Sequence, residues 1–333
     1  DRSVREAAVR GLVALESTEP VVELFRGEEP SPFQEDVALL LSHMGNSADR
    51  ILGIEYLVEI STGTIGLEHL SRLDDEPDSE EKIAALVRLL SHADALVRVQ
   101  TVRATGEAGS VDQISDLGRL FTEEADSRVL LALDEAAMGL LSDSRDSDVE
   151  RLANGDSLFA RRAAFSALGQ KAATGEIDQR IYNLLEDGLS DDEAIIRGAS
   201  ILGLSHVGTD EAFTLVTGLV EDANAQVRRD LALGLAHFQP GQGSEILHRY
   251  IQDSDESVVE AALSTLGERE ESDAAEMVLA LTSSTSSRVR AAAALAVSRL
   301  SYFEIERSIV DVLMGATVDA DERVRAAAAT SLG

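Results

Sequence analysis

The residues in this chain that could do chemistry are few in kind. Six histidines, His43, His69, His92, His206, His237 and His248, could ligate a metal or move a proton near neutral pH. No two of them stand at i, i+4 with an intervening carboxylate, so no helical zinc pair is spelled out. Four of them, His43, His92, His206 and His237, fall near expected helix ends, where an imidazole can answer exposed carbonyls. Acid pairs such as Asp74–Asp75, Glu123–Glu124 and Asp191–Asp192 could act as metal or acid–base carboxylates. Among 61 acidic residues, however, such pairs arise by chance and read as solvated loop. Cysteine is absent, which removes disulfides, thiolate nucleophiles and thiolate metal ligands together. There is no Gly-x-Ser-x-Gly, and STGTIGL (61–67) lacks the spacing and strand context of a dinucleotide loop. The expectation is a chain with no catalytic residue, no metal site and no cofactor.

Charge narrows the partners. The formal net charge is −32, from 61 acidic and 29 basic residues, and lysine occurs only as Lys82 and Lys171. An acid excess with so little lysine resembles the proteins of extreme halophiles, whose carboxylate surfaces stay hydrated in molar salt. There the Debye length is roughly 3 Å and like charges are screened. A charge of this sign opposes binding to phosphate backbones, so nucleic acid is not the expected partner. No apolar run of membrane-spanning length and no signal-like start occur, and with the missing cysteine this fits a cytoplasmic protein. The chain opens on Asp1, which fits a processed or trimmed polypeptide.

The elements that must position these groups repeat. An aspartate, a short gap, Val-Arg or a variant, and alanine-rich text ending near Leu-Gly recur from Asp94, Asp126, Asp156, Asp192, Asp222, Asp255, Ser286 and Asp321. The spacings are 32, 30, 36, 30, 33, 31 and 35 residues, and DRSVREAAVRGLVAL (1–15) is a further copy three periods earlier. SPFQEDVALLLSHMG (31–45) and TIGLEHLSRL (64–73) stand where two degenerate copies belong. Within a copy, Val324, Ala327, Ala328 and Leu332 step along one helix face. A second amphipathic segment precedes each copy, as at 81–90, 178–189, 211–220 and 303–316. Calling these A helices and the aspartate-led copies B helices, about eleven B and ten A helices are expected. The aspartate suits the N-cap of B, where its carboxylate accepts orphan N–H groups, and Gly169, Gly208 and Gly267 suit a left-handed stop. A period near 33 with this content predicts an all-α solenoid, one array over 1–333, degenerate over 1–79 and regular over 80–333.

These copies resemble HEAT repeats, specifically the short class named after phycobilisome lyases. The resemblance implies a right-handed α-α superhelix of about ten helical hairpins that holds another protein along its curved surface. It further implies an arginine ladder built from Asp94, Arg98, Asp156, Arg161, Asp192, Arg197, Asp222, Arg228, Asp321 and Arg325. In such a ladder each arginine pairs with aspartates of its own and the adjacent copy. Arg5 and Arg290 take the same place, whereas the copy from Asp255 offers Glu260 there and the copy from Ser286 lacks the aspartate, which predicts a soft joint over 255–290. B helices line the inner face of such superhelices. Residues 286–303 carry Arg288, Arg290 and Arg299 with no acid, and Arg161–Arg162 and Arg228–Arg229 are doublets. Arg162, Arg229, Arg288 and Arg299 are therefore the candidate partner-binding residues of a scaffold or adaptor for signalling or assembly. The alternative is a bilin-lyase-like enzyme or enzyme subunit. A chain without cysteine or tryptophan offers a tetrapyrrole little to hold, and the absence of any His-Glu dipeptide sets it apart from the iron-binding deoxyhypusine hydroxylases.

Overall fold

The computed structural model describes residues 34–43, 46–142, 144–175, 178–300 and 306–333, with Gly11 alone before them. The copy at 1–15 and its Arg5 lie outside these residues. Among them the chain is all-α, with 19 α-helices joined by short turns and 3-10 segments and no strand. It divides into two compact units, residues 1–163 and 164–333.

In the first unit the helices are α1 (Gln34–Leu41), α2 (Ser47–Glu59), α3 (Gly63–Leu70), α4 (Glu80–Leu89), α5 (Ala95–Ala108), α6 (Ile114–Glu123), α7 (Ser127–Ser142) and α8 (Asp146–Ala153). The helix α9 (Leu158–Ala173) follows. α2–α3, α4–α5 and α6–α7 are antiparallel hairpins. α3, α5 and α7 pack side by side as a B layer, and α2 packs on α4 in the A layer. The degenerate segments at 31–45 and 64–73 thus supply α1 and α3. Buried Leu86, Leu89, Val97, Leu117, Leu133 and Leu141 fill the space between the layers.

The second unit continues with α10 (Gln179–Gly188), α11 (Ala194–Val207), α12 (Asp210–Thr217), α13 (Ala225–Gly234), α14 (Ser244–Tyr250) and α15 (Glu256–Glu268). Its last helices are α16 (Ala275–Leu281), α17 (Ser287–Arg299), α18 (Glu306–Ala316) and α19 (Glu322–Leu332). The B helices α11, α13, α15, α17 and α19 stack in order, and α10–α11, α14–α15, α16–α17 and α18–α19 form hairpins. Together these features make the fold an all-α superhelical solenoid. A helix pair of this kind buries its apolar stripe only against its neighbours, which is why the pattern must repeat.

Small residues set the B-layer spacing. A Cβ on Gly106 would stand 2.9 Å from the Cα of Ala136, and one on Gly267 would stand 3.0 Å from the Cα of Ala296. Gly267 is therefore a packing residue inside α15, and Gly169 likewise lies within α9. Of the three glycines expected as helix stops, Gly208 is the left-handed one, with φ 68°, closing α11. The helix ends also differ in detail from expectation. Asp94, Asp255 and Asp321 cap their helices through the carboxylate, as expected. Ser157, not Asp156, receives the N–H of Ala160, and Asn224, not Asp222, caps α13. Glu193 stands at the N-cap of α11 without a side-chain bond. Serine and asparagine accept the same N–H groups as aspartate, so the cap slides by one or two residues at little cost.

Candidate partner-binding face

The ladder arginine lies four residues after the N-cap of its B helix, and its guanidinium works in two directions. Arg197 Nη1 donates to the carbonyls of Asp191 and Asp192 in its own loop, at 2.9 and 3.0 Å. Its Nε and Nη2 donate to the Asp222 carboxylate of the next loop, at 2.8 and 3.0 Å. Arg228 repeats this with the carbonyls of Asp222 and Ala223 and the carboxylate of Asp253. Arg98 does so with His92, Ala93 and Glu124, and Arg290 with Ser284, Thr285 and Asp319. Arg325, in the last copy, keeps the two carbonyls of Asp319 and Ala320. Each bidentate fork therefore joins one loop to the next.

The acceptor is not the capping aspartate. It stands two residues before the cap, where its carboxylate also accepts the cap residue's N–H: Asp222 from Asn224, Asp253 from Asp255, Asp319 from Asp321 and Glu124 from Asp126. Hydrogen bonds from Arg98, Arg228 and Arg290 hold Glu124, Asp253 and Asp319 below the ordinary carboxylate range. At Asp222 burial pushes upward, but the bonds from Arg197 and Asn224 outweigh it and the net shift is down. Asp94 has a different second partner, the N–H of Gly63 at 2.6 Å, and Asp191 accepts the N–H of Glu193. Arg161 keeps the ladder register, four residues after Ser157.

Structure shifts one sequence assignment by a residue. The ladder position of α15 is Val259, four after Asp255, and not Glu260. Where the arginine is missing, the next loop also lacks the acceptor. Val259 is followed by Ser284, Leu130 by Gly155 and Gly66 by His92 at the acceptor place. His92 instead takes the N–H of Asp94 on Nδ1, with Nε2 3.1 Å from the carbonyl of Val58.

The four candidate binding arginines separate. Arg162 pairs with Asp134 and lies over the Phe121 ring, 5.4 Å from its centre. Arg229 is 3.5 Å from Asp230, a carboxyl that burial pushes up. Arg288 pairs with Glu260 across α15 and α17. Arg299 is exposed and makes no ion pair among the described residues. Arg288 and Arg299 border one groove of about 520 Å³ over α15, α17 and α19, whose wall is Ala291, Ala292, Leu295, Ala296 and Ala326. Leu295 is 42 % exposed there. An open groove with a leucine–alanine wall rimmed by Arg288, Arg299, Arg323 and Glu260 has the character that an amphipathic segment needs.

Comparison with known proteins agrees with this geometry. The family described as HEAT repeats matches residues 214–298. HEAT repeats are thus shown over that stretch, about a quarter of the chain. No curated protein matches it. Among solved structures it is similar to YibA of E. coli, at 17 % identity and TM-score 0.52, covering 81 % of this chain and 97 % of that one. It is similar also to Kap121p bound to Pho4p, at 12 % identity and TM-score 0.54, covering 99 % of this chain and 44 % of that one. Human deoxyhypusine hydroxylase, at 14 % identity and TM-score 0.35, superposes too loosely to carry an argument. No helix among the described residues is long and apolar enough to cross a membrane.

Proposed function

We propose that this HEAT-repeat chain is a non-enzymatic scaffold that seats a helix or tail of another protein in the groove over α15, α17 and α19. The observation that carries the proposal is Arg299, an exposed guanidinium with no acidic partner among the described residues, beside a leucine–alanine wall in a chain of net charge −32. In so acidic a molecule a cation left without a carboxylate is available to someone else's. The groove therefore selects a segment with an apolar side chain over Leu295 and a carboxylate for Arg299. Arg288, half paired with Glu260, and Arg323, bonded to Asp321 and Ser287, can extend that contact. Arg162 is better placed for joining α9 to α7, and Arg229 for pairing within its own helix. The shared fold of Kap121p, seen bound to Pho4p, supports a protein as the occupant. The lysine-poor acidic composition supports a cytoplasm of molar salt as the setting, and the short copies with their recurring aspartate, Val-Arg and alanine-rich text support the phycobilisome-lyase-type class as the repeat's relatives.

Affinity capture from a lysate kept at molar salt, with partners identified by mass spectrometry, tests the reading. Leu295→Arg and Arg299→Glu together are expected to lose the main partner, with helical content unchanged. The same partner captured in the same yield by the double variant would remove the groove from the account.

A further inference from the structure

A second cluster in the same unit lies away from the groove. His248 sits on α14, and Glu271 and Asp273 lie in the turn that follows α15. One donor atom of each comes within 4.8 Å of the others, and His248 Nε2 is 4.0 Å from Asp273 Oδ2. The turn is forced: Glu270 has φ 53°, an uncommon conformation for a residue with a side chain. Its effect is to point the next residue inward. Glu271 is 8 % exposed, and neither of its carboxylate oxygens receives a hydrogen bond. The buried Nε2 of His248 is without a partner as well.

Arg269 explains half of this arrangement. Its Nη1 donates to the carbonyls of Leu235 and Gln242 and its Nη2 to that of Gln239, which fixes the guanidinium. Its Nε lies 2.8 Å from Glu271 Oε1, so one carboxylate oxygen has a cation beside it. A Glu271 carboxylate oxygen, a His248 ring nitrogen and the Asp273 carboxylate lie within 4.8 Å of one another. Buried polar atoms are normally satisfied, and two buried unsatisfied groups, His248 Nε2 and the Glu271 carboxylate, beside the exposed Asp273 carboxylate are accounted for by a ligand that all three can bind.

We propose that His248, Glu271 and Asp273 form a binding site for a divalent transition-metal cation such as Zn2+. One imidazole nitrogen and two carboxylates are a donor set that Zn2+ accepts, with bonds of about 2.0–2.2 Å and ligand atoms therefore about 3.5 Å apart. Drawing the three donors together by roughly 1 Å reaches that geometry. Asp273 is free to make most of that movement, because its side chain is 68 % exposed. Arg269 is the outer partner that orients the ligating Glu271 carboxylate. The fourth position faces solvent. The bound cation clips α14 to the turn after α15 and so stiffens the link between consecutive hairpins. This site is independent of the groove and of any partner.

The test uses the whole chain, stripped with chelator, and Zn2+ as the probe in isothermal titration calorimetry. Excess Mg2+ is present to occupy oxygen-only surface sites, which bind it without an imidazole. One site per chain is expected. His248→Gln and Asp273→Asn are each expected to weaken it at least about tenfold. Addition of Zn2+ is expected to raise the melting temperature of the wild type and not that of His248→Gln, whose circular dichroism reports whether it folds. Absence of a one-to-one site in the wild type overturns the proposal. So does a site that both folded variants keep at full strength.

Discussion

The ladder arginines show how one side chain decides the behaviour of a loop. A lysine could reach the same carboxylate, but it could not donate two parallel bonds to it and two more to carbonyls behind. Sequence reading found these arginines because they recur at a fixed step from the cap. It paired them with the aspartates that lead each copy, which holds for Arg197 and Asp222, whereas the other acceptors seen, Glu124, Asp253 and Asp319, sit two residues before the leading aspartate. The signal was present as Asp222-Ala-Asn224, Asp253-Ser-Asp255 and Asp319-Ala-Asp321, in which the first acid has no capping duty. The acceptors also set a pH dependence. Glu124, Asp222, Asp253 and Asp319 have depressed values in the folded state. Their contribution is fully present above the unfolded carboxylate range near 4 and is lost as pH falls through the lower folded values. Urea unfolding measured from pH 7 to pH 3 is expected to show stability dropping below about pH 4. Arg228→Ala should flatten that drop, because Asp253 then titrates near its ordinary value. An identical slope in this variant would locate the acid sensitivity elsewhere.

Among the elements, the missing rungs are as informative as those present. The A helices were legible from apolar spacing at 81–90, 178–189 and 211–220, which became α4, α10 and α12. The soft joint expected over 255–290 would have its physical basis in the Val259–Ser284 gap, since α15 and α17 meet with no fork between their loops. Sequence alone misplaced the gap onto Glu260 because the register of a cap is uncertain by a residue. Glu260 instead faces Arg288, a pair roughly half exposed on both sides and so worth little. Restoring the rung tests this. Val259→Arg alone should destabilise by about 3 kcal/mol, since it buries a charge without a partner. Ser284→Asp alone should be near neutral. Together they should recover about 1–3 kcal/mol of coupling in a double-mutant cycle. Strict additivity would mean that the two loops are too far apart to be joined. Hydrogen exchange over 255–290 should be faster than over α11 and α13 in the wild type and slower in the double variant.

The charge of the whole molecule sets the conditions under which all of this holds. Of the two lysines, Lys82 is itself buried, with Nζ bonded to the Glu76 carbonyl and Asp78, so nearly all surface cations are arginine. Surplus carboxylates repel one another over a distance that salt controls. Circular dichroism is expected to lose helical signal on dilution below roughly 0.5 M salt. Unchanged ellipticity in dilute buffer would show that the arginine rungs outweigh the repulsion. Composition made this scale readable from the start. The cluster of His248, Glu271 and Asp273 was not readable, because its members lie on different elements and meet only through the turn at Glu270. No local spacing rule detects donors assembled by stacking.

The break between α15 and α17 has a mechanical meaning. Under tension along residues 164–333, load passes from loop to loop through Arg197–Asp222, Arg228–Asp253 and Arg290–Asp319. The α15–α17 seam has no such fork, only packing and the half-exposed Arg288–Glu260 pair, and is expected to yield first. The proposed groove straddles that same seam. A segment seated across α15, α17 and α19 acts as a splint, and stretching the stack opens its seat. If the proposed groove is the seat, partner binding and extension are opposed, and a tethered copy is expected to lose the bound segment when pulled.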